Sequence, residues 1–254
     1  MSKMPVLFQA HGAPPLLEDP GWMAELAAWA QVLPRPKAII VVLAHWEAHP
    51  VSIGATRALP LIYDFYGFPE KFYKLQDPSP GAPETAARVR QLLDGAGIKH
   101  TDDAARGLDH GTYIPLMCMY PGADIPVLQI SLPSMDPKDI FAMGVALAPL
   151  RDEGVLLVGS GFLTHNLRAL SLRDTPTWAS EFDLWTADAL ARHDHDLLMQ
   201  YRAKAPGVRE SLPTHEHFVP VLFSAGAAPD AAVTFPITGF WWGGAMTRRS
   251  AQLG

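Results

Sequence analysis

The chain has 254 residues, 48% of them hydrophobic and 18% charged, with a formal net charge of −6. That is enough apolar material for a buried core, and the negative balance argues against a basic nucleic-acid surface. With one cysteine, Cys118 in the apolar run 115–120, neither an intrachain disulfide nor a thiolate zinc cluster can form from a single chain.

Residues 6–9 read as a short strand, followed at once by His11-Gly12-Ala13-Pro14-Pro15. Asp19-Pro20-Gly21 opens a helix, with Asp as cap and Pro in the first turn; Trp22, Leu26, Trp29 and Leu33 space its apolar face, and Pro34 and Pro36 stop it. The continuous run 38–43 has the signature of a strand buried on both faces of a parallel sheet, and it ends at His45. Residues 51–53 form a further short extended piece. Residues 57–82 lack periodicity and hold six aromatic rings from Tyr63 to Tyr73, the pattern of a pocket wall or lid, or of rings that anchor the loop to the core. Helices are expected over 84–93, 137–150, 177–201 and 216–225, and strands over 125–130 and 155–158. The alternation predicts one α/β domain, residues 1–254, with a central, mostly parallel sheet flanked by helices. No apolar run approaches the roughly 20 residues of a membrane span. The start lacks the apolar core of a signal peptide, so a cytoplasmic protein is expected.

The most informative residues are histidines. Five of ten sit in short segments where strands are expected to end: His11, His45, His110, His165 and His217. Loops at strand ends of α/β proteins converge on a crevice, and imidazole is the commonest metal-ligating side chain. Glycines around 159–161 free the backbone there for close approach to a ligand. His49, His100, His193 and His195 read as surface or hydrogen-bonded residues. His215 and His217 lie at a predicted helix start capped by Thr214, and only one of the two can easily face a given site. Neutral imidazoles suit Zn, Fe, Cu or Ni better than Mg or Ca. Zinc on three histidines and iron(II) on a facial triad both remain open at this level.

The chain resembles the class III extradiol ring-cleaving dioxygenases, in particular the DOPA 4,5-dioxygenase-like branch. The matching segments are His11-Gly12-Ala13-Pro14, Ala44-His45-Trp46, Ile62 to Pro69, Gly107-Leu108-Asp109-His110-Gly111, Gly159-Ser160-Gly161 through His165-Asn166, and Glu216-His217-Phe218-Val219-Pro220. They keep order and spacing over nearly the whole chain. The resemblance implies that His11, His45 and His217 are metal ligands. His165 stands next to the metal, as a further ligand or as base toward the catechol hydroxyl, and His110 is an acid/base group. It also implies Fe(II) for activity, with Zn an occupant of the purified protein, a small aromatic diol and O2 as substrates, and a homodimer. Thr112-Tyr113, Leu212-Pro213, His215 and the tail 240–244 depart from the family pattern, all on or near the expected pocket.

Two other readings fit the histidines. A zinc hydrolase or lyase would use the same three-His platform, with Glu47 or Asp109 as its carboxylate, although no Ser/His/Asp order or HExxH supports a specific hydrolase. A metal-bearing partner subunit without turnover would be expected to lack one or more of these histidines. Arg106, Arg168 and Arg248 are the candidate partners for a substrate carboxylate.

Overall fold

The computed structural model describes residues 3–254. Strand periodicity decides its layers, because successive side chains in a strand point to opposite faces. In the first strand, β1 (Val6–Ala10), Val6 and Phe8 enter one apolar cluster and Leu7 the other. Helix α1 (Pro20–Val32) starts where Asp19 Oδ1 accepts the Trp22 N–H at 3.0 Å, and it buries Trp22, Leu26 and Trp29. Strand β2 (Ala38–Glu47) divides the same way, with Ile40 and Val42 on one face and Ile39, Val41 and Leu43 on the other. It runs past His45, where the sequence places its end.

Strand β3 (Val51–Ile53), helix α2 (Pro83–Gly95), strand β4 (His100–Asp102), helix α3 (His110–Met119), strand β5 (Val127–Leu132), helix α4 (Pro137–Leu147) and strand β6 (Val155–Gly161) follow. Periodicity gives no sign of α3, because all but one of its ten residues are buried and it has no amphipathic stripe. It also contains Pro115.

The long helix expected over 177–201 is broken. It forms as α5 (Thr177–Ala191), α6 (His195–Met199) and α7 (Tyr201–Lys204). His193 at φ 56° turns the chain out of α5, and Asp194 caps α6 by accepting the Leu197 N–H. After α8 (Val208–Ser211), the helix expected from residue 216 begins later, as α9 (Pro220–Ala227). Strands β7 (Val233–Ile237), β8 (Phe240–Trp241), β9 (Met246–Thr247) and β10 (Ser250–Leu253) complete the order.

Eight strands form one sheet in the order β4-β3-β5-β2-β6-β1-β10-β7. Its centre, β5-β2-β6-β1, is parallel. β3 joins β5, and β10 joins both β1 and β7, in antiparallel fashion. α1 and α3 cover one face, while α2, α4 and α9 cover the other. The fold is therefore α/β with a mostly parallel central sheet, as the alternation of elements predicts. Among the described residues no helix is long and apolar enough to cross a membrane.

Leu157 lies fully buried in β6, at the middle of the sheet. Leu157→Ala is expected to lose about 2–5 kcal/mol in urea unfolding, whereas Val32→Ala, at a position 78% exposed, is expected to stay within about 0.5 kcal/mol of the parent.

Candidate metal centre

Each of the five singled-out histidines is delivered by a different stretch of backbone. His11 follows β1, its N–H donating to the Gly161 carbonyl at 3.3 Å. His45 lies near the end of β2, between the last pair with β6 (Leu43↔Ser160) and the isolated pair Glu47↔Leu132 with β5. Freed from regular register, its ring turns inward. His165 follows β6 and forms a bridge to Met246. The other two are not at strand ends, contrary to the sequence reading. His110 is the first residue of α3, capped by Asp109, and His217 lies in the turn before α9. The His217 carbonyl accepts the Phe162 N–H at 2.8 Å, tying this turn to the end of β6.

The five imidazoles meet around one cavity. Ring centroids are 4.7 Å apart for His11 and His45, 5.4 Å for His11 and His217, and 5.1 Å for His45 and His217. His110 stacks on His45 at 4.2 Å, and His165 on His217 at 3.6 Å. Glycine permits the closeness at two points. A Cβ on Gly111 would press on the His45 ring, and one on Gly161 would overlap the His217 carbonyl oxygen.

The hydrogen bonds fix which ring nitrogens are free. Ser160 Oγ donates to the Gly111 carbonyl at 2.6 Å, so toward His11 Nδ1, at 2.9 Å, it acts as acceptor. His11 therefore carries its proton on Nδ1 and leaves Nε2 as a lone-pair donor. Glu216 Oε1 does the same for His217 Nδ1 at 2.9 Å. His45 Nδ1 faces Asp64 Oδ2 at 3.3 Å and Asp109 Oδ1 at 3.6 Å. Holding one ring nitrogen in this way is the usual outer support of a metal-bound histidine. His45 Nε2 and His217 Nε2 stand 3.2 Å apart, so a single proton or a single cation between them satisfies both. Two nitrogens bound to one tetrahedral metal at ~2.0–2.1 Å stand about 3.3 Å from each other. The donor set thus fits a divalent transition metal. Three donor groups have metal-ligand spacing here: His11 with His45 and His110, His165 with Glu216 and His217, and His45 with Asp64 and Asp109.

The electrostatics keep the cluster nearly uncharged. Burial, then the neighbouring imidazoles, pushes His11 and His217 well below the ordinary histidine value. Burial and His217 take His165 down to about 2. Burial lowers His110 too, although the Asp64 hydrogen bond works against it. Only His45 is raised: burial opposes its charge, but Asp109 and then Asp64 outweigh it. Asp64 itself falls to about 2, because the His110 bond and the His110 and His45 charges overcome the effect of burial.

His110 Nδ1 lies 2.7 Å from Asp64 Oδ1, which leaves His110 Nε2 free toward the cavity. Asp109 is fully buried yet satisfied: it accepts from Gly111 N at 3.1 Å, Gln129 Nε2 at 2.9 Å and an Arg106 nitrogen at 2.9 Å. The cavity has a volume of about 580 Å³. Its wall includes Asp64, Phe65, Tyr66 and Phe68 from the aromatic loop, together with Phe162 and Trp242. The loop is also anchored, by Tyr63 Oη donating to the Leu75 carbonyl at 2.6 Å and by buried Phe72, so both of its expected roles are realised.

Other histidines stand apart. His100 pairs with Asp94, His195 Nε2 meets the Pro229 carbonyl, and His215 packs edge-on to Tyr201 at 5.4 Å. The candidate arginines do not line the cavity. Arg106 is held by Asp109 and the Trp46 ring, Arg248 by Glu25 and the Trp22 ring, and Arg168 is exposed. Sequence reasoning assigned no role to Asp64, Ser160, Glu216 or Gln129. The first three lie inside the segments that carry the family resemblance, and Gln129 had no local signal.

Comparison with known proteins places these features in context. A family model described as the catalytic LigB subunit of aromatic ring-opening dioxygenase matches residues 17–240. A relative from Beta vulgaris, named 4,5-DOPA dioxygenase extradiol, is 40% identical over 97% of this chain and 95% of its own. An Escherichia coli relative of the same name is 38% identical over 100% of this chain and 96% of its own. A crystal structure of an uncharacterized Escherichia coli K12 protein superposes with a TM-score of 0.84 at 36% identity, covering 99% of this chain and 100% of the other.

Gly161→Ala is expected to cost about 1–3 kcal/mol in urea unfolding, because the added methyl forces the His217 turn away from β6. A variant as stable as the parent would show that this contact relaxes freely.

Proposed function

The chain belongs to the family of the catalytic LigB subunit of aromatic ring-opening dioxygenase, and from that premise we propose that it is an extradiol dioxygenase, opening the ring of a catechol beside its diol. The observation that carries this reading is the set of imidazoles whose Nδ1 atoms are committed to Ser160, to Glu216 and toward Asp64 and Asp109, at the floor of a cavity walled by aromatic rings. In this reading the whole chain acts as one catalytic domain. His11, His45 and His217 would hold a non-haem divalent metal, Fe(II) for turnover, and Zn would fit the same donors. A metal bound there would supply Lewis acidity to the diol.

The chain's own groups supply the rest. His165, stacked on His217 and resistant to protonation, offers a neutral lone pair beside the diol, either to the metal or to a catechol hydroxyl. His110 offers Nε2 to the substrate while Asp64 takes its Nδ1–H. A proton arriving at Nε2 is stabilised by that carboxylate, the logic of a histidine–aspartate pair, so His110 is assigned the acid/base role. Phe162 and the aromatic loop hold the flat ring and exclude water. Both atoms of O2 enter the product, which closes the electron balance with no external reductant and leaves a carboxylate and an aldehyde where the ring bond was. The names of the relatives specify DOPA; only the catechol head is carried over to this chain.

A zinc hydrolase on these histidines would draw on Glu47 or Asp109 to activate water. Glu47 is exposed and does not line the cavity, and Asp109 is already engaged by Gly111, Gln129 and Arg106, which disfavours that reading.

Anaerobic loading with Fe(II), followed by O2 uptake with a panel of catechols, tests the proposal. Uptake with a new yellow chromophore, seen with iron and not with zinc, is the expected result. Absence of uptake at verified iron occupancy would overturn it. His45→Ala is expected to lose metal by elemental analysis. His110→Ala is expected to keep metal and lose about 10²–10⁴-fold in turnover; full metal occupancy in His45→Ala would sink the ligand assignment.

A further inference from the structure

The cavity is of mixed character. Its lining joins imidazoles and Asp64 to an apolar set, Phe68, Leu167, Leu170, Trp242 and buried Met246, with Tyr66 exposed beside them. Leu167 and Leu170 are 55% and 43% exposed, so large apolar side chains are left open to solvent at the rim. Trp242 is held in place by stacking on Trp241 at 3.9 Å, and Trp241 in turn meets the edge of Trp22. Among the described residues no lysine or arginine lines the cavity. Its single carboxylate, Asp64, is already taken by His110 and His45.

Three of the nearby cations are committed elsewhere, while Arg168, beside Leu167, is exposed and does not line the cavity. Arg106 and Arg248 are fixed as described above, and Arg249 forms a two-point pair with Asp183 at 2.8 and 2.7 Å. A charged substituent seated inside the cavity would therefore lose its water and meet no cation among the lining residues, which disfavours binding. An apolar substituent would bury surface against the rim and gain from it. At about 580 Å³ the space lies within the ~300–1,000 Å³ range that takes drug-sized ligands, so there is room for more than one ring.

We propose that the substrate of this site is a catechol bearing an uncharged, apolar substituent, seated against Phe68, Leu167, Leu170, Trp242 and Met246, and that carboxylate-bearing and amino-acid-bearing catechols are poor substrates. This rests on the ring-opening reading of the same site.

The test varies the substituent on a constant head. Initial rates of the iron(II)-loaded enzyme are measured with 4-methylcatechol, 4-tert-butylcatechol, 3,4-dihydroxyphenylacetate and L-DOPA. The expected kcat/KM rises with alkyl size and exceeds that of both carboxylates at least tenfold, chiefly through KM. A carboxylate substrate equal to or better than the alkyl catechols overturns the proposal.

Calorimetric binding of the same four compounds to the zinc-loaded protein gives the ranking without turnover. Tighter binding of the alkyl catechols supports the proposal, and tighter binding of the carboxylates overturns it. If no compound turns over but the alkyl catechols still bind more tightly, the ring-opening reading fails while the ligand preference stands. Leu170→Arg places a cation at the rim and is expected to shift the ratio toward the carboxylates at least tenfold. Arg168→Ala is expected to leave the ranking unchanged; a selective loss of carboxylate binding in this variant would mean that Arg168 clamps that group and would overturn the proposal.

Discussion

Five imidazoles can share one cavity only while nearly all of them are uncharged, and much of the surrounding structure serves that constraint. Burial and mutual repulsion remove the proton charge from four of the rings. Acceptors on the outside hold the remaining N–H groups in place. Those acceptors come from separate parts of the fold: Ser160 from β6, Asp64 from the aromatic loop, and Glu216 from the turn before α9, with Asp109 from the cap of α3 facing His45 at 3.6 Å. The site is thus an arrangement of lone pairs aimed inward and protons aimed outward. Neither half could be held without the four elements packed on one another.

The parallel centre of the sheet explains why the rings arrive together. β1, β2 and β6 run side by side, so their carboxyl ends open on one edge, and His11, His45 and His165 come from those ends. The other two histidines are brought to that edge by a helix cap and by a turn. Asp109 does two jobs through one side chain. It starts α3 by accepting the Gly111 N–H, and it faces His45 while bonded to Gln129 and Arg106. A helix start and a support of the candidate metal site are therefore the same hydrogen-bond network.

Much of the frame was legible in the sequence. The buried runs at 38–43 and 155–158 are strands, and Asp19-Pro20 does open a helix, because strong local signals agree with tertiary packing there. α3 was not legible, since a helix buried on almost every side has no polar face to set a period. The break at His193 was hidden as well, because the left-handed backbone that makes it requires neither Gly nor Asn in the sequence. At the site, the five imidazoles announced themselves by residue type. Their supports did not: a serine, a glutamine and three carboxylates are ordinary residues until the fold brings them within 2.7–3.6 Å of an imidazole or of one another. The candidate arginines failed for the converse reason. Proximity in sequence to a motif says nothing about which acid or ring has already claimed a guanidinium.

β1 has neighbours from remote parts of the chain, residues 155–161 on one side and residues 250–253 on the other. The strand that leads to His11 is therefore completed by contacts that span most of the sequence. Such non-local contacts form slowly. While the chain folds, the helices and the β2–β5 pair can form before β1 is enclosed, and until then one imidazole lacks its seat. The candidate metal centre thus depends on contacts that span most of the chain, so an ion that reaches the chain before they form would meet some of the histidines but not the geometry that joins them.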